Sequence, residues 1–233
     1  MFPRTLEKVT PDMQTAQKRF LVRSVRLELD RSLCRNCGTC ISACPNNIIK
    51  RGAPGASMRG AKNVGHGALG VLLDAKACSY CGVCTVFCPF DALSLVVDGE
   101  KVSREKLQVV EKKALPHIVE EPVELKDGKA GRRFIEGHLE FSKETCETGC
   151  RTCIDICPTG SLSFASSDDA WAAETLHIDR DTCIMCGACA YACPVSAMKM
   201  FREKINVEGD YQDPFWPDVE KRLLGAKNTA KTP

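Results

Sequence analysis

Short apolar segments recur along the chain, and each lies beside a run of cysteines. Val25-Arg-Leu-Glu-Leu29 alternates apolar and polar residues, and residues 47–50, 71–74 and 93–97 form similar short segments. Alternation with a period of two is typical of a half-buried β-strand. The first half of the chain therefore predicts outer strands at 25–29 and 93–97 and inner strands at 47–50 and 71–74. We expect the outer strands to pair with each other, and the inner strands likewise.

The second half repeats this order, with short apolar segments at 138–141, 161–164, 176–178 and 197–200. Between the halves, residues 103–113 have apolar positions at helical spacing, and Asp127-Gly128 predicts the turn of a hairpin. A short helix is predicted at 217–224. Residues 51–70 are rich in glycine and basic residues, which indicates a flexible surface loop or, alternatively, a partner-docking rim.

All cysteines fall into four runs of the form C-x2-C-x2-C-x3-C-P, and the third run has one extra residue between its first two cysteines. This spacing ligates [4Fe–4S] clusters, because one tight turn lets three thiolates reach three irons of a cubane, while the fourth thiolate ligates the neighbouring cluster. The runs contain Cys34, Cys37, Cys40 and Cys44; Cys78, Cys81, Cys84 and Cys88; Cys146, Cys150, Cys153 and Cys157; and Cys183, Cys186, Cys189 and Cys193. Four runs of four use all 16 cysteines, so the sequence predicts four [4Fe–4S] clusters.

Other uses of cysteine explain this pattern less well. A disulfide framework is typical of smaller, exported chains. Zinc sites use separated cysteine pairs, whereas these runs place four successive thiols before a proline. Thioredoxin-like redox chemistry needs a single C-x-x-C motif.

The gaps between the runs indicate which runs share clusters. The middle gap, from residue 88 to residue 146, is the longest, which is typical of a domain junction and favours linear pairing of runs one with two and three with four. A nested arrangement, in which runs one and four enclose runs two and three, stays open. Linear pairing predicts cluster one on Cys34, Cys37, Cys40 and Cys88; cluster two on Cys78, Cys81, Cys84 and Cys44; cluster three on Cys146, Cys150, Cys153 and Cys193; and cluster four on Cys183, Cys186, Cys189 and Cys157.

The order of strands and cysteine runs predicts an α+β protein of two tandem bacterial-type two-cluster ferredoxin-like domains with insertions. The predicted domain bounds are an N-terminal arm at 1–24, domain 1 at 25–97, a connector at 98–137, domain 2 at 138–200 and a C-terminal tail at 201–233. Within the polar tail, Phe215 and Trp216 are expected either to pack on their own domain or to anchor a partner.

The composition favours some cellular compartments and some classes of partner over others. The 233 residues are 44% hydrophobic and carry a formal charge of +2. Four thiolate-ligated cubanes at roughly −2 each would bring the loaded protein to about −6. This balance favours partner proteins with basic docking faces over nucleic acid. The sequence has no apparent export signal and no apolar stretch long enough to span a membrane, so we expect a cytoplasmic protein, and the oxygen-labile clusters suggest an anaerobic host.

Cubanes with four cysteine ligands have no open iron and move single electrons. The sequence offers no convincing nucleophile triad, phosphate loop or carboxylate pair, so we expect an electron-transfer component with no catalytic site of its own. Charges near the clusters should tune their potentials. Arg35 and Arg151 are expected to raise the potentials of their clusters, and Glu147 is expected to lower that of its neighbour.

The four runs resemble the polyferredoxin family over about residues 25–200. Cys78-Ser-Tyr-Cys-Gly-Val-Cys-Thr-Val-Phe-Cys-Pro-Phe-Asp-Ala-Leu93, with Val97-Asp-Gly-Glu100 and Ala114-Leu-Pro116, is similar to the polyferredoxin F subunit of archaeal formylmethanofuran dehydrogenase. That resemblance implies delivery of low-potential electrons to a tungsten or molybdenum site on another subunit. The chain departs from that family in being shorter, with fewer runs.

Three other interpretations stay open. The chain is alternatively the iron–sulfur subunit of another anaerobic complex, such as a hydrogenase, a heterodisulfide reductase or a molybdopterin oxidoreductase. A free polyferredoxin is the second alternative, although it would not need the connector and the aromatic tail. An enzyme with its own site is the third, and no motif in the sequence supports it.

Overall fold

The computed structural model describes residues 3–52, 70–104, 106–107, 114–146, 150–164, 176–209, 211 and 215–225. The predicted loop at 51–70 and the predicted helix at 103–113 lie largely outside these residues. The chain divides into two compact units. Unit 1 comprises Met1–His117 with Gly209–Arg222, and unit 2 comprises Ile118–Glu208 with Leu223–Pro233.

Unit 1 is built on an antiparallel sheet with the strand order β1-β2-β3-β6-β7. Its strands are β1 (Arg4–Val9), β2 (Met13–Arg19), β3 (Ser24–Asp30), β6 (Leu93–Val97) and β7 (Glu100–Lys101). The predicted outer strands are confirmed, because β3 pairs with β6 with Leu27 opposite Leu95. Both leucines are buried, so alternate residues of these strands form the core face of the sheet.

The N-terminal segment differs from the predicted surface arm. Strands β1 and β2 form a hairpin that joins the sheet through the pairing of β2 with β3. Ala16 is almost completely buried and Gln14 is 6% exposed. The polar composition of residues 1–24 concealed this, because an edge hairpin buries only part of one face and keeps charged residues elsewhere.

The ligand loops of unit 1 lie between these outer strands. They contain α1 (Thr39–Ala43), β4 (Ile49–Arg51), β5 (Val71–Leu73) and α2 (Val83–Val86). The predicted inner strands are confirmed, since β4 pairs with β5 with Ile49 opposite Leu73. Both residues are buried, so the inner pair supplies apolar walls beside the cysteines.

Unit 2 has the same pairing of outer strands and of inner strands as unit 1, but different additional strands. The elements are β9 (Glu121–Glu124), β10 (Ala130–Arg133), β11 (Ile135–Phe141), α3 (Thr152–Ile156), β12 (Leu162–Phe164), β13 (Leu176–Ile178), α4 (Ala188–Ala192) and β14 (Met198–Ile205), with β8 (His117–Ile118) at its start and β15 (Val207–Glu208) near its end. The hairpin predicted about Asp127-Gly128 is confirmed by the pairing of β9 with β10. Strand β11 pairs with β14, and β12 pairs with β13, so the strand order of the first half recurs.

The C-terminal helix α5 (Phe215–Gly225) confirms the predicted helix and is longer than expected. Trp216 is 1% exposed and stacks on Phe87, with ring centroids 5.9 Å apart. Of the two alternatives for the tail aromatics, packing within the chain therefore applies to Trp216. Phe215 is half-buried, and an interface role for it stays a prediction. No helix among the described residues is both long and apolar enough to span a bilayer.

Candidate metal centres

Each cysteine run begins with a turn that a polar side chain closes. Asp30, Asp74 and Asp179 each lie four residues before the first cysteine of a run, and their carboxylates accept backbone N–H hydrogen bonds from the next residues. The backbone N–H of the first cysteine then donates to the carbonyl of the same residue, as in Cys34 to Asp30 at 3.1 Å. Ser142 has the equivalent place before the third run. These turns position the first ligand of every set, and the cysteine spacing alone did not predict them.

Three of the runs contain a glycine with a left-handed backbone conformation, which turns the chain sharply before a short helix. Gly38, Gly82 and Gly187 have φ between 81° and 88°, at the residue that precedes a short helix. A side chain is strained in this conformation, and at Gly38 an added Cβ would also lie 2.3 Å from the Arg51 guanidinium. The third run departs from this rule, since Arg151 precedes its helix with φ −120°.

The structure brings the cysteines together in sets that combine two runs. Cys34, Cys37, Cys40 and Cys88 line one cavity of unit 1, and Cys44, Cys78, Cys81 and Cys84 line another. In unit 2, Cys157, Cys183, Cys186 and Cys189 line a third cavity. Each cavity has a volume of about 300 Å³ when the space open to solvent is included. In each set three cysteines come from one run and the fourth comes from the neighbouring run.

The remaining four cysteines also influence one another. The pKa of the Cys153 thiol is raised to about 11, mainly by burial and also by repulsion from the nearby Cys146, Cys150 and Cys193. Residues 147–149 of this loop, including Glu147, lie outside the described residues, so its predicted effect stays a prediction. This fourth set again takes three cysteines from one run and one from its neighbour.

Burial makes these thiols poor acids. Burial raises the pKa of Cys34 and of Cys189 to about 12 each, and that of Cys88 to about 11. Neighbouring cysteines add repulsion that raises the same pKa values. Four thiolates therefore coexist in such a cavity only with a cationic group between them, and cluster binding must release protons.

The donor sets fit thiolate-ligated iron–sulfur clusters. Sulfur is the donor at all four positions, and apolar side chains such as Leu27, Leu29 and Leu139 line the same cavities. Among the described residues, no group of three or more His, Cys, Asp or Glu side chains has the geometry to hold a metal ion. A single ion needs all its sulfur ligands about 2.3 Å away, whereas a cubane distributes its thiolates over four irons.

Cations from distant parts of the chain donate hydrogen bonds to carbonyl groups of the ligand runs. In unit 1, Lys18 donates to the Cys78 carbonyl at 3.2 Å, and Arg222 donates to the carbonyls of Cys44 and Pro45 at 2.7 and 2.9 Å. The carbonyls lie immediately beside cluster ligands, so these positive charges offset the negative charge of a thiolate-ligated cluster.

Unit 2 has the same kind of contact. Lys126 donates to the Ile154 carbonyl at 2.9 Å, and the buried Arg202 guanidinium donates to the carbonyls of Met185 and Cys186 at 3.2 and 2.9 Å. Neither cation lies within a cysteine run, so sequence reasoning missed them. Only their contacts across the fold identify them.

The two arginines that the sequence singled out differ in their surroundings. Arg35 is 6% exposed and donates to the Ser32 carbonyl at 3.1 Å. Arg151 is exposed at the start of α3. Because water screens exposed charges, Arg35 should affect its cluster more strongly than Arg151.

Hydroxyl groups also contact the ligand sulfurs. Thr39 Oγ1 lies 3.4 Å from Cys37 Sγ, and Thr152 Oγ1 lies 3.4 Å from Cys150 Sγ. Although burial alone raises the pKa of Cys157, hydrogen bonds from the Ser161 and Thr159 hydroxyls lower it below the ordinary value. Among the cysteines with a described shift, Cys157 is the one whose pKa lies below its ordinary value.

Family models for a 4Fe-4S dicluster domain match residues 33–92, 70–158 and 128–197. Together they cover the four cysteine runs. These matches agree with the iron–sulfur clusters that the four cysteine sets fit.

Curated relatives include subunits of a pyruvate synthase and of an NADH-quinone oxidoreductase. Pyruvate synthase subunit PorD of Methanothermobacter marburgensis is 36% identical over 92 residues, which cover 39% of this chain and 98% of that protein. NADH-quinone oxidoreductase subunit I of Pelobacter propionicus is 29% identical over 110 residues, 44% of this chain and 58% of that protein. The likeness to the second relative thus extends over little more than half its length.

A solved structure matches almost the whole chain. One chain of the formate dehydrogenase–heterodisulfide reductase–formylmethanofuran dehydrogenase complex from Methanospirillum hungatei superposes with a TM-score of 0.76. The superposition covers 96% of this chain and 92% of that chain at 23% identity. At this identity the match shows a common fold.

Proposed function

Because this chain belongs to the family of ferredoxin-type proteins with 4Fe-4S dicluster domains, we propose that it is an electron-relay subunit that carries four [4Fe–4S] clusters. The observation that carries this proposal is the gathering of the cysteines into sets of three plus one, each drawn from two neighbouring runs. The predicted linear ligand sets, with clusters one and two in residues 25–97 and clusters three and four in residues 138–200, are part of this proposal.

Relay without catalysis follows from the ligand chemistry. A cubane held by four thiolates has every iron coordinated by the protein, so it exchanges electrons and binds no substrate. Burial of the ligands keeps water away, and the cations at the loop carbonyls stabilise the added negative charge of the reduced cluster. The partner subunits would supply the donor and the acceptor of the electrons. We place the protein in the cytoplasm of an anaerobic organism.

The destination that we favour is a tungsten or molybdenum formylmethanofuran dehydrogenase site on another subunit. Two observations support it: the similarity of the Cys78–Leu93 segment to that family's polyferredoxin subunit, and the match to a chain of a complex that contains formylmethanofuran dehydrogenase. The second candidate is the iron–sulfur subunit of another oxidoreductase. It is favoured by the likeness to pyruvate synthase and NADH-quinone oxidoreductase subunits.

Cofactor content tests the first part of the proposal. After anaerobic purification and cluster reconstitution, we expect about sixteen iron atoms and as many acid-labile sulfides per chain, because each cubane holds four of each. Single substitutions then test the ligand sets. Cys88→Ser should alter the same electron paramagnetic resonance signal as Cys34→Ser, whereas Cys193→Ser should not. If Cys193→Ser and Cys34→Ser alter one signal, the nested arrangement replaces the linear one.

Association with partners tests the second part. The native protein is purified anaerobically from its own organism, and the chains that stay bound through size exclusion are identified by mass spectrometry. A stable tungsten- or molybdenum-containing partner supports formylmethanofuran dehydrogenase. Hydrogenase, heterodisulfide reductase or pyruvate synthase subunits would instead support the second candidate, and a loaded monomer would contradict the subunit proposal.

A further inference from the structure

One ligand set has hydroxyl groups directed at one of its sulfurs from outside its main loop. Ser161 Oγ lies 3.3 Å from Cys157 Sγ, and Thr159 Oγ1 lies 3.6 Å from the same sulfur. Ser161 is only 3% exposed, so its hydroxyl is removed from water. One buried hydroxyl therefore lies beside a ligand sulfur of the predicted cluster four.

The other sets receive their hydroxyls differently. Thr39 and Thr152 contact Cys37 and Cys150 from within the ligand loop. In the fourth run the equivalent position is Ala188, which has no hydroxyl. The contacts to cluster four come instead from the segment that follows the third run.

A buried cation lies behind the same set. Arg202 is 6% exposed and donates to the carbonyls of Cys186, a predicted ligand of cluster four, and of Met185, the residue before it. Its charge acts in a poorly screened environment. Both features favour negative charge on the cluster, and reduction adds such a charge.

We propose that Ser161 is a positioning residue that raises the reduction potential of cluster four. An electron in unit 2 then resides on cluster four rather than on cluster three. This inference rests on the proposed relay function. A bound cluster would accept one electron from a reduced iron–sulfur centre of a partner protein, which would be oxidised by one electron, with no bond broken and no proton transferred. Reduction increases the negative charge on the ligand sulfurs, so the hydrogen bond from Ser161 strengthens in the reduced state.

Potentiometry followed by electron paramagnetic resonance tests the proposal on the fully loaded chain. Ser161→Ala should lower one midpoint so that the ratio of reduced to oxidised cluster falls about tenfold, equivalent to about 59 mV for one electron. The other midpoints should not move. Ser161→Thr keeps the hydroxyl and should restore the potential. Ser163→Ala removes an exposed hydroxyl two residues further along the same segment and should have no effect.

Thr159→Val is the second variant, chosen because it removes a hydroxyl while preserving side-chain shape. It should lower the same midpoint by a smaller ratio, since its contact is longer. Unchanged midpoints in both variants, or a Ser161→Thr protein as low as Ser161→Ala, would overturn the proposal.

A failure of the relay function would look different from a failure of the tuning proposal. The wild-type chain would then lack the expected cluster signals or bind no redox partner. The effect of Ser161→Ala on any cluster that is present can still be measured. The two outcomes are therefore separable.

Discussion

The effect of a single charged residue on the reduction potential of a cluster should depend on how deeply its side chain is buried. Arg35 follows the first cysteine of its run and Arg151 follows the second cysteine of its run. The Arg35 side chain is buried, whereas that of Arg151 is exposed. Coulomb interactions are screened by water and salt at the surface and much less in the interior. The residue type thus predicts the sign of the effect on the reduction potential, and the local exposure sets its size.

Arg151→Glu should make one midpoint potential more negative, because it replaces a positive charge near the third run by a negative one. Since Arg151 is exposed, we expect a shift below about 59 mV, the equivalent of a tenfold change. Potentiometry at low and high ionic strength measures it. Arg151→Gln should give roughly half the shift, and added salt should shrink both. An unchanged midpoint at low salt would contradict the assignment.

At the level of the strands, a close backbone contact in β11 restricts which residue can occupy one position. Strand β11 has a bulge between Glu136 and Gly137 where it pairs with β14. The backbone carbonyl oxygen of Phe201 lies 2.0 Å from the place where a Cβ of residue 137 would be. The close approach requires glycine at this point of the ribbon, because a backbone atom cannot rotate aside as a side chain can.

Gly137→Ala should destabilise unit 2, since the strands must separate to admit the methyl group. We expect a loss of about 1–3 kcal/mol, the usual cost of overpacking. The midpoint of guanidinium-induced loss of cluster absorbance measures it under anaerobic conditions. Gly225→Ala is the matched control, because nothing lies within 4 Å of an added Cβ there. Equal midpoints for the two variants would rule out the steric explanation.

Trp216 joins the C-terminal helix to the core of unit 1. Trp216→Ala removes a side chain that is 1% exposed and stacks on Phe87, one residue before the ligand Cys88. Large aromatic truncations of this kind cost about 3–5 kcal/mol. We expect earlier unfolding and faster loss of iron to a chelator. Phe20→Ala, at an aromatic side chain of unit 1 that is 40% exposed, should change the iron release rate little, and similar rates for both variants would argue against the contact with Phe87.

Folding of the whole molecule should depend on its metal. Most of the cysteines are buried, and three of the four cysteine sets line cavities together with apolar side chains. Small proteins whose interior is partly metal cofactor usually unfold when the metal is removed. The clusters therefore act as part of the core.

Removal of iron by a chelator under anaerobic, reducing conditions should abolish cooperative unfolding and reduce the far-ultraviolet circular dichroism. Readdition of iron and sulfide should restore both. The reducing conditions prevent disulfides from replacing the clusters as crosslinks. An apoprotein with native circular dichroism and a sharp unfolding transition would show that the polypeptide folds without its clusters.

Much of the fold near the ligands was predictable because it is encoded over short distances. The outer strands, the inner strands and the hairpin about Asp127-Gly128 follow from local periodicity and turn residues. The predicted N-terminal arm is different. Its strands gain their place only by pairing with β3, and the polar side chains of an edge hairpin do not reveal this in the sequence.

The sequence by itself determined the cofactor, because the spacing of cysteines within a run decides which thiols one tight loop can present. Only the tertiary structure decided the surroundings of those thiols. Arg222 reaches the Cys44 carbonyl across 178 residues, and Lys18 reaches that of Cys78 across 60 residues. Contacts between residues so far apart in the chain depend on the packing of the whole unit, so no local sequence pattern predicts them. The ligands are a property of the loops, and their electrostatic environment is a property of the fold.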